Sequence, residues 1–316
     1  MNLQRWIARR EPDWQEAKQL LEWVETQGLG SLSGTQIQRL ASLYRSLCAD
    51  LSRAKTFNVG PTLLSELQQL TTRAYNQIYQ GSRHQEWQGI IAFYRWQFPL
   101  VVQQTWGYTA IALGVFSLGG LIAWWYSWQD PSFLALVVPE GLIHQVRDKG
   151  QLWMGSILGN EPLASSGIMV NNMTVAFRMV GGAITAGLFT LYALFTNGLL
   201  LGAIAALVSQ NHLAFPFWAF VFPHGALELP AIFLAGGAGL LIAQGLVLPG
   251  NYRRLDALKQ RGYQAAQLVF GIVPLLFIAG LIEGFISPNP MFPEPLRYGL
   301  GIAFLIVLGL YCSQRR

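Results

Sequence analysis

Charged residues are scarce in this chain, and that scarcity excludes most classes of soluble protein. Asp, Glu, Lys and Arg make up only 12% of the 316 residues, whereas 52% are hydrophobic and the mean hydropathy is +0.34. An ordinary soluble domain carries about 25% charged residues. The charges are also unevenly spread, since residues 1–97 hold 11 of the 21 basic and 8 of the 16 acidic side chains. The composition therefore predicts an integral membrane protein with a polar amino-terminal region.

Signatures of catalysis and of metal binding are also missing. Neither cysteine, Cys48 or Cys312, has a partner at a spacing typical of a metal site or a disulfide scaffold. The chain has no phosphate-binding G-x-x-x-x-G-K-[ST] loop, no G-x-S-x-G elbow and no H-E-x-x-H helix. Its four histidines are scattered along the sequence. We therefore expect no enzyme activity, no catalytic residue, no cofactor, no metal and no nucleic-acid partner.

Residues 1–80 are predicted to form a helical region in the cytoplasm. The first residues are charged and lack the continuous apolar core of a cleavable signal peptide. In "EPDWQEAKQLLEWVE", Pro12 predicts a helix start, and apolar residues then recur with helical spacing. Ser33 and Gln36 form a capping-box signature for a second helix, and a third is predicted after Pro61. Together these segments predict a small bundle or hairpin of helices.

Residues 81–98 are predicted to form an amphipathic helix at the membrane interface. Aromatic and aliphatic residues alternate with charged and polar ones in "HQEWQGIIAFYRWQF". Such a helix, placed just before a spanning segment, is typical of the membrane interface. The alternative is that this segment extends the first spanning helix into the cytoplasm, and the sequence favours neither.

Apolar segments of membrane length occupy the rest of the chain. Since about 20 apolar residues cross a bilayer, residues 99–316 predict an all-α, polytopic bundle of about six transmembrane helices. The polar connection at about 129–165 is expected to be extracytoplasmic. The loop at 251–263 carries four basic residues against one acid, so the positive-inside rule places it in the cytoplasm. This arrangement predicts a bacterial plasma (inner) membrane protein with both termini inside.

Small residues recur at every fourth position in two of these spans. Such rows let helix backbones approach closely, and we interpret them as packing surfaces. The rows are Ala231, Ala235, Gly239 and Ala243 in one span, and Gly198, Gly202 and Ala206 in another.

Several polar side chains lie at membrane depth, where they are costly and often functional. They are Asn171, Asn172, Arg178, Asn197, His224, Glu228 and Glu283. One interpretation puts Glu228 at the head of its helix, stabilised by the helix dipole and nearby water. The other pairs Glu228 with Arg178 in the bundle interior, with His224 and either Asn171 or Asn172 adding hydrogen bonds. The sequence leaves both open.

Two stretches give the chain a family resemblance. "NNMTVAFRMVGGAITAGLFTLYALFTNGLLLGAIAAL" and the later "HGALELPAIFLAGGAGLLIA" resemble the stage II sporulation protein M family over roughly residues 95–312. The family pattern falls on Asn171, Asn172, Asn197, Gly198, His224, Gly225, Glu228 and Leu229. The resemblance implies a polytopic plasma-membrane protein. In spore formers, the family's namesake is a scaffold that anchors peptidoglycan-degrading enzymes at the engulfing septum.

Two functions are consistent with this reading. The first is a non-enzymatic membrane scaffold that recruits partners, including cell-wall-remodelling enzymes. The second is the transmembrane permease of an ABC-2-like exporter working with a separate ATPase, suggested by fold-level analogy alone. The scaffold is favoured because intramembrane charges are few, whereas substrate pathways commonly have more. Membrane lipids, other membrane or cell-wall proteins and further copies of the chain are the expected partners.

Overall fold

Helices make up almost all of the structure, a computed structural model that describes residues 3–57, 59–80, 83–154 and 159–314. Parts of the predicted interfacial helix (81–82) and connection (155–158) lie outside the described residues, as do the two arginines at 315–316. In chain order the α-helices are α1 (Leu3–Gln27), α2 (Gly34–Thr56), α3 (Pro61–Tyr75), α4 (Arg83–Ala92), α5 (Phe98–Gln104), α6 (Trp106–Gln129), α7 (Leu134–Val137), α8 (Glu140–Arg147), α9 (Glu161–Gly181), α10 (Leu188–Gln210), α11 (Ala214–Val247), α12 (Arg254–Leu281) and α13 (Glu294–Ser313).

The chain divides into two compact units, residues 1–93 and residues 94–316, which we call the head and the bundle. The helices α1, α2 and α3 give the head a hydrophobic core of its own. Its fully buried side chains include Leu21, Leu40 and Leu67. Within α2 the buried Leu40, Leu43 and Leu47 recur at helical spacing, so this helix presents one apolar face to its neighbours.

The first helix of the head begins earlier than the proline signal predicts. Pro12 lies inside α1, which starts at Leu3. The turns before Pro12 are held by packing, because the buried Trp6 and Trp14 rings meet edge to face with centroids 5.6 Å apart. The predicted capping box at the start of α2 is confirmed, since Ser33 caps the helix and the Gln36 side chain bonds back to the Ser33 backbone.

The predicted all-α membrane bundle is confirmed. Among the described residues, five helices are long and apolar enough to cross a membrane: α6, α10, α11, α12 with its continuation to Ile286, and α13. The remaining predicted span is α9, which has membrane length but contains Asn171, Asn172 and Arg178. Between α6 and α9 runs the connection, residues 130–160, which includes the short helices α7 and α8.

Successive spans alternate in direction, so one side of the bundle collects the ends next to the connection. That side receives the ends of α6, α10 and α12 and the starts of α9, α11 and α13. Buried residues of the connection, including Leu134 and Val146, pack there with Phe217 and Phe220 of α11. We call this the connection side.

Glycine brings the backbones of the bundle together, as the small-residue rows predict. A Cβ added to Gly198 would stand 2.0 Å from the Phe116 carbonyl oxygen, and one added to Gly202 would stand 2.0 Å from that of Gly120. No side chain fits at such distances. The helices α6 and α10 therefore pack backbone to backbone, which is the close contact expected of small-residue rows in membranes.

Candidate functional site

Three ionisable side chains converge inside the bundle near the connection side. They are His224 and Glu228 of α11 and Glu283 of the turn that follows α12, and we call them the His-Glu-Glu cluster. One ligand atom from each, an imidazole nitrogen or a carboxylate oxygen, lies within 4.8 Å of the others. This spacing is small enough for a single ion to bridge all three groups.

The length of α11 determines two of the three positions. This helix begins at Ala214 and continues through Pro223 and Pro230. His224 and Glu228 are therefore separated by one helical turn and share a face. The interpretation that Glu228 lies at the head of its helix is wrong, because several turns precede it and the dipole effect is confined to the first turn.

A π-helical turn positions the third side chain. Residues Ile282–Ile286 widen the end of α12 by one residue per turn, and Glu283 lies within this stretch. Such turns are rare and often occur at functional sites. α9 packs tightly against it: a Cβ on Gly284 would stand 2.3 Å from the Ser165 Cβ, and the Ser165 hydroxyl donates to the Gly280 carbonyl at 2.8 Å.

His224 is held in one orientation by its neighbours. Its side chain is buried, and its Nδ1 shares a hydrogen bond of 3.2 Å with the Ser287 hydroxyl. The Phe220 ring packs on the imidazole edge to face, with ring centroids 5.6 Å apart. These contacts turn Nε2 toward Glu283, whose Oε2 lies 3.8 Å away. The ring therefore has one nitrogen fixed by a hydrogen bond and one facing the carboxylates.

The charge balance of the cluster is unusual. Two carboxylates lie close together in a part of the bundle where a lone charge is costly. In the part of the chain that the structure describes, the ion pairs join neither Glu228 nor Glu283 to an arginine or lysine. The negative charge must then be compensated by protons or by a bound cation.

Comparison with known proteins identifies the family of this chain. The profile of the stage II sporulation protein M family matches residues 112–288, which is more than half of the chain. The chain belongs to the stage II sporulation protein M family. A separate match, to a domain of unknown function, covers residues 4–80 of the head. The family match includes all three residues of the His-Glu-Glu cluster.

A relative from an archaeon is also similar. An uncharacterised protein of Methanocaldococcus jannaschii is 30% identical over 124 residues, which is 39% of this chain and 70% of the relative. No solved structure matches the chain. The exporter alternative finds no support in these matches, none of which names a transporter.

The predicted pair of Glu228 and Arg178 is not formed in this family member. Arg178 is exposed, and in the described residues no ion pair joins it to Glu228. The reason is that the two residues lie at different depths in the bundle. The Met179 carbonyl oxygen lies against Gly239, only 2.3 Å from where a Cβ there would stand. Glu228 precedes Gly239 by eleven residues, or roughly 16 Å along the helix at 1.5 Å per residue. The two side chains cannot span that distance.

The three asparagines of the family pattern are distributed differently. Asn171 is exposed and Asn172 is buried, and the Asn171 side-chain amide donates to Oδ1 of the Asn172 side chain at 3.2 Å. Asn197 donates to the Ala193 carbonyl of its own helix at 2.8 Å. An amide bonded to the preceding turn has its donor satisfied locally. Asn197 therefore has a local role in α10, and no hydrogen bond of the described residues links these amides to the cluster.

Glu283 is unusual in the sequence as an acid at membrane depth, but the sequence does not connect it to His224 and Glu228. It comes from a different helix, and its partners are a histidine and a glutamate with no motif spacing between them. Counting histidines alone missed the cluster, because two of its three ligand groups are carboxylates. The signal that was present is the rarity of acids at membrane depth in this family member, where Glu228 and Glu283 stand in otherwise apolar segments.

Proposed function

We propose that this protein is a non-enzymatic scaffold of the plasma membrane that recruits partner proteins through its head and its connection. The family supports a membrane role, and the separate folded head supports a binding role for the polar third of the chain. In this proposal the head lies in the cytoplasm and the connection lies outside, where it meets cell-wall-remodelling enzymes.

A groove on the head is the observation that carries the proposal. It encloses about 320 Å³ between α1 and α3. Its apolar lining includes Ile7, Leu63 and Leu70, whereas Glu11 and Lys18 add charges of both signs. A groove of this composition fits the apolar stripe of an amphipathic helix from a partner protein.

Neighbouring leucines allow a matched test of the groove. Leu63 and Leu64 are both half-buried and both pack against the core of the head, but only Leu63 lines the groove. We expect the full-length protein, purified in mild detergent from its native membrane, to retain its protein partner. The Leu63→Gln variant should lose that partner and the Leu64→Gln variant should keep it, as quantified by mass spectrometry. Identical partner sets from both variants, or a co-purifying nucleotide-binding subunit, would contradict the proposal.

The orientation is tested by thiol labelling. In a chain whose Cys48 and Cys312 are replaced by serine, single cysteines are introduced at Glu140 in the connection and at Lys259 in α12, both exposed. An impermeant maleimide applied to intact cells should label the first position and spare the second. Labelling of position 259 from outside would reverse the proposed orientation.

A further inference from the structure

The His-Glu-Glu cluster has the composition and the convergence of a metal site. Its members are a single imidazole and two carboxylates, contributed by two helices, and their ligand atoms all lie within 4.8 Å of one another. Two ligands bound to one ion at about 2.1 Å each lie about 3 to 3.5 Å apart. The Nε2 of His224 and the Oε2 of Glu283 are already 3.8 Å apart, so small side-chain rotations would complete the geometry.

We propose that the cluster binds one divalent transition-metal ion, held by His224 Nε2 and by one carboxylate oxygen each from Glu228 and Glu283. The mixed nitrogen and oxygen set selects the class of ion. Imidazole suits zinc, iron and their neighbours in the first transition row, whereas an all-oxygen shell would suit magnesium or calcium. Three protein ligands leave coordination positions for water or for a further group.

The hydrogen bond to Ser287 acts as the outer shell of this site. A metal-binding histidine commonly donates its second ring N–H to an oxygen, which fixes the tautomer and the ring orientation. Here Nδ1 and the Ser287 hydroxyl are 3.2 Å apart. When Nδ1 donates to that oxygen, the lone pair of Nε2 faces Glu283, as metal binding requires.

Electrostatics also favours a cation. Two carboxylates repel each other strongly at short range in a medium of low dielectric constant. A divalent ion neutralises both at once and becomes the largest local charge. The described part of the bundle offers the two glutamates no arginine or lysine ion pair, so a bound cation would supply a compensation that those residues do not.

An open cavity on the connection side lies next to the residues that hold His224. An open cavity of about 190 Å³ is lined by Phe220 and Ser287, the two residues that contact the His224 ring. Glu294 and Arg297 add polar groups to the same lining. An accessible route is one of the requirements for a metal site in a folded protein.

The test uses the full-length protein in mild detergent, stripped with a chelator and then incubated with Zn²⁺ or Co²⁺. After desalting, elemental analysis should find one zinc ion per chain, and Co²⁺ should give the visible absorption of a nitrogen and oxygen site. The Glu283→Gln and Glu228→Gln variants keep the shape of each side chain. Each should weaken binding by more than the roughly 10- to 100-fold that losing an outer-shell partner causes.

His144 provides the matched control. It is exposed and forms a surface ion pair with Asp148 on the connection, so it represents adventitious binding of metal by a surface histidine and carboxylate. The His144→Asn variant should retain one ion per chain, and His224→Asn should lose it while eluting as a folded species in gel filtration. Loss of the ion in the His144 variant, or a wild-type protein that takes up no stoichiometric metal, would overturn the proposal. Both results are independent of whether the head recruits a partner.

Discussion

The head buries one acidic side chain and the bundle partly buries two, and the two units compensate the charge differently. In the head, the carboxylate of Asp50 is almost fully buried and accepts from Arg10 Nε at 2.7 Å and from Trp14 Nε1 at 3.0 Å. In the bundle, Glu228 and Glu283 lie beside a histidine and beside each other. The head therefore contains its own counter-charge, whereas the described residues of the bundle give the two glutamates no arginine or lysine ion pair, and protons or a bound cation must compensate any charge on them.

The first prediction concerns the ion pair of Arg10 and Asp50 in the head. The Arg10→Met variant removes the counter-charge of Asp50 but retains an apolar stem of similar length. Breaking a buried pair typically costs 3 to 5 kcal/mol, and we expect about 3 kcal/mol because Trp14 still donates to the carboxylate. Thermal unfolding in detergent, followed by circular dichroism, measures the loss.

Its control is a more exposed arginine of the same unit. Arg39 pairs with Asp13 and Glu16, and its side chain is 46% exposed. Water screens such pairs, so Arg39→Met should change stability far less than Arg10→Met. Equal effects from the two variants would mean that burial of Asp50 does not govern the stability of the head.

The second prediction concerns a cation bound at the His-Glu-Glu cluster of the bundle. Raising free Zn²⁺ to about 100 times its dissociation constant should stabilise the wild-type protein by about 2.7 kcal/mol. The Glu283→Gln variant should gain little from the ion, and in chelator it should be at least as stable as wild type because one repulsive charge is gone. Differential scanning calorimetry with and without chelator measures both. The Arg10→Met variant should lose the same stability with and without chelator. A loss that depends on metal would contradict the proposed difference between the head and the bundle.

The fold could be predicted from sequence where a single physical length governs it. The thickness of the bilayer sets the length of each span, so the apolar segments from α6 to α13 were identified from hydropathy. The capping box at Ser33 was equally local and equally predictable. Proline misled in the head, because α1 continues through Pro12. There tertiary packing overrides a local preference for a helix start.

The site could be predicted only in part, because its geometry depends on depth. Identifying Glu228 and His224 as one helical face requires only their spacing. Choosing the partner of Glu228 requires knowing where α11 begins and where α9 meets it, and neither follows from composition. The π-helical turn that positions Glu283 adds a residue to one turn and has no clear sequence signal. Charge alone favours Arg178 as the partner of Glu228, but the structure places Arg178 at another depth.

The third prediction concerns the packing inside each of the two units. Leucines fill the core of the head, whereas Gly202 lets α10 touch the backbone of α6 at Gly120. The Gly202→Ala variant forces the helices apart and should lose about 1 to 3 kcal/mol. Gly114, on an open face of α6, has no atom within 4 Å of an added Cβ. Gly114→Ala should be neutral or slightly stabilising in the same thermal assay, and a loss equal to that of Gly202→Ala would show that the contact is not the cause.

The smallest expected effect is a coupling that should be absent. If Glu228 and Arg178 are separated by depth, the changes Glu228→Gln and Arg178→Gln should add to within about 0.5 kcal/mol in a double-mutant cycle. The same cycle on Glu228→Gln and Glu283→Gln should show coupling, because residues in contact typically interact by about 0.5 to 3 kcal/mol. Both cycles are read from unfolding in detergent with chelator present. Coupling in the first cycle and none in the second would reassign the partner of Glu228 to Arg178, and the bundle would then balance its buried charge internally, as the head does.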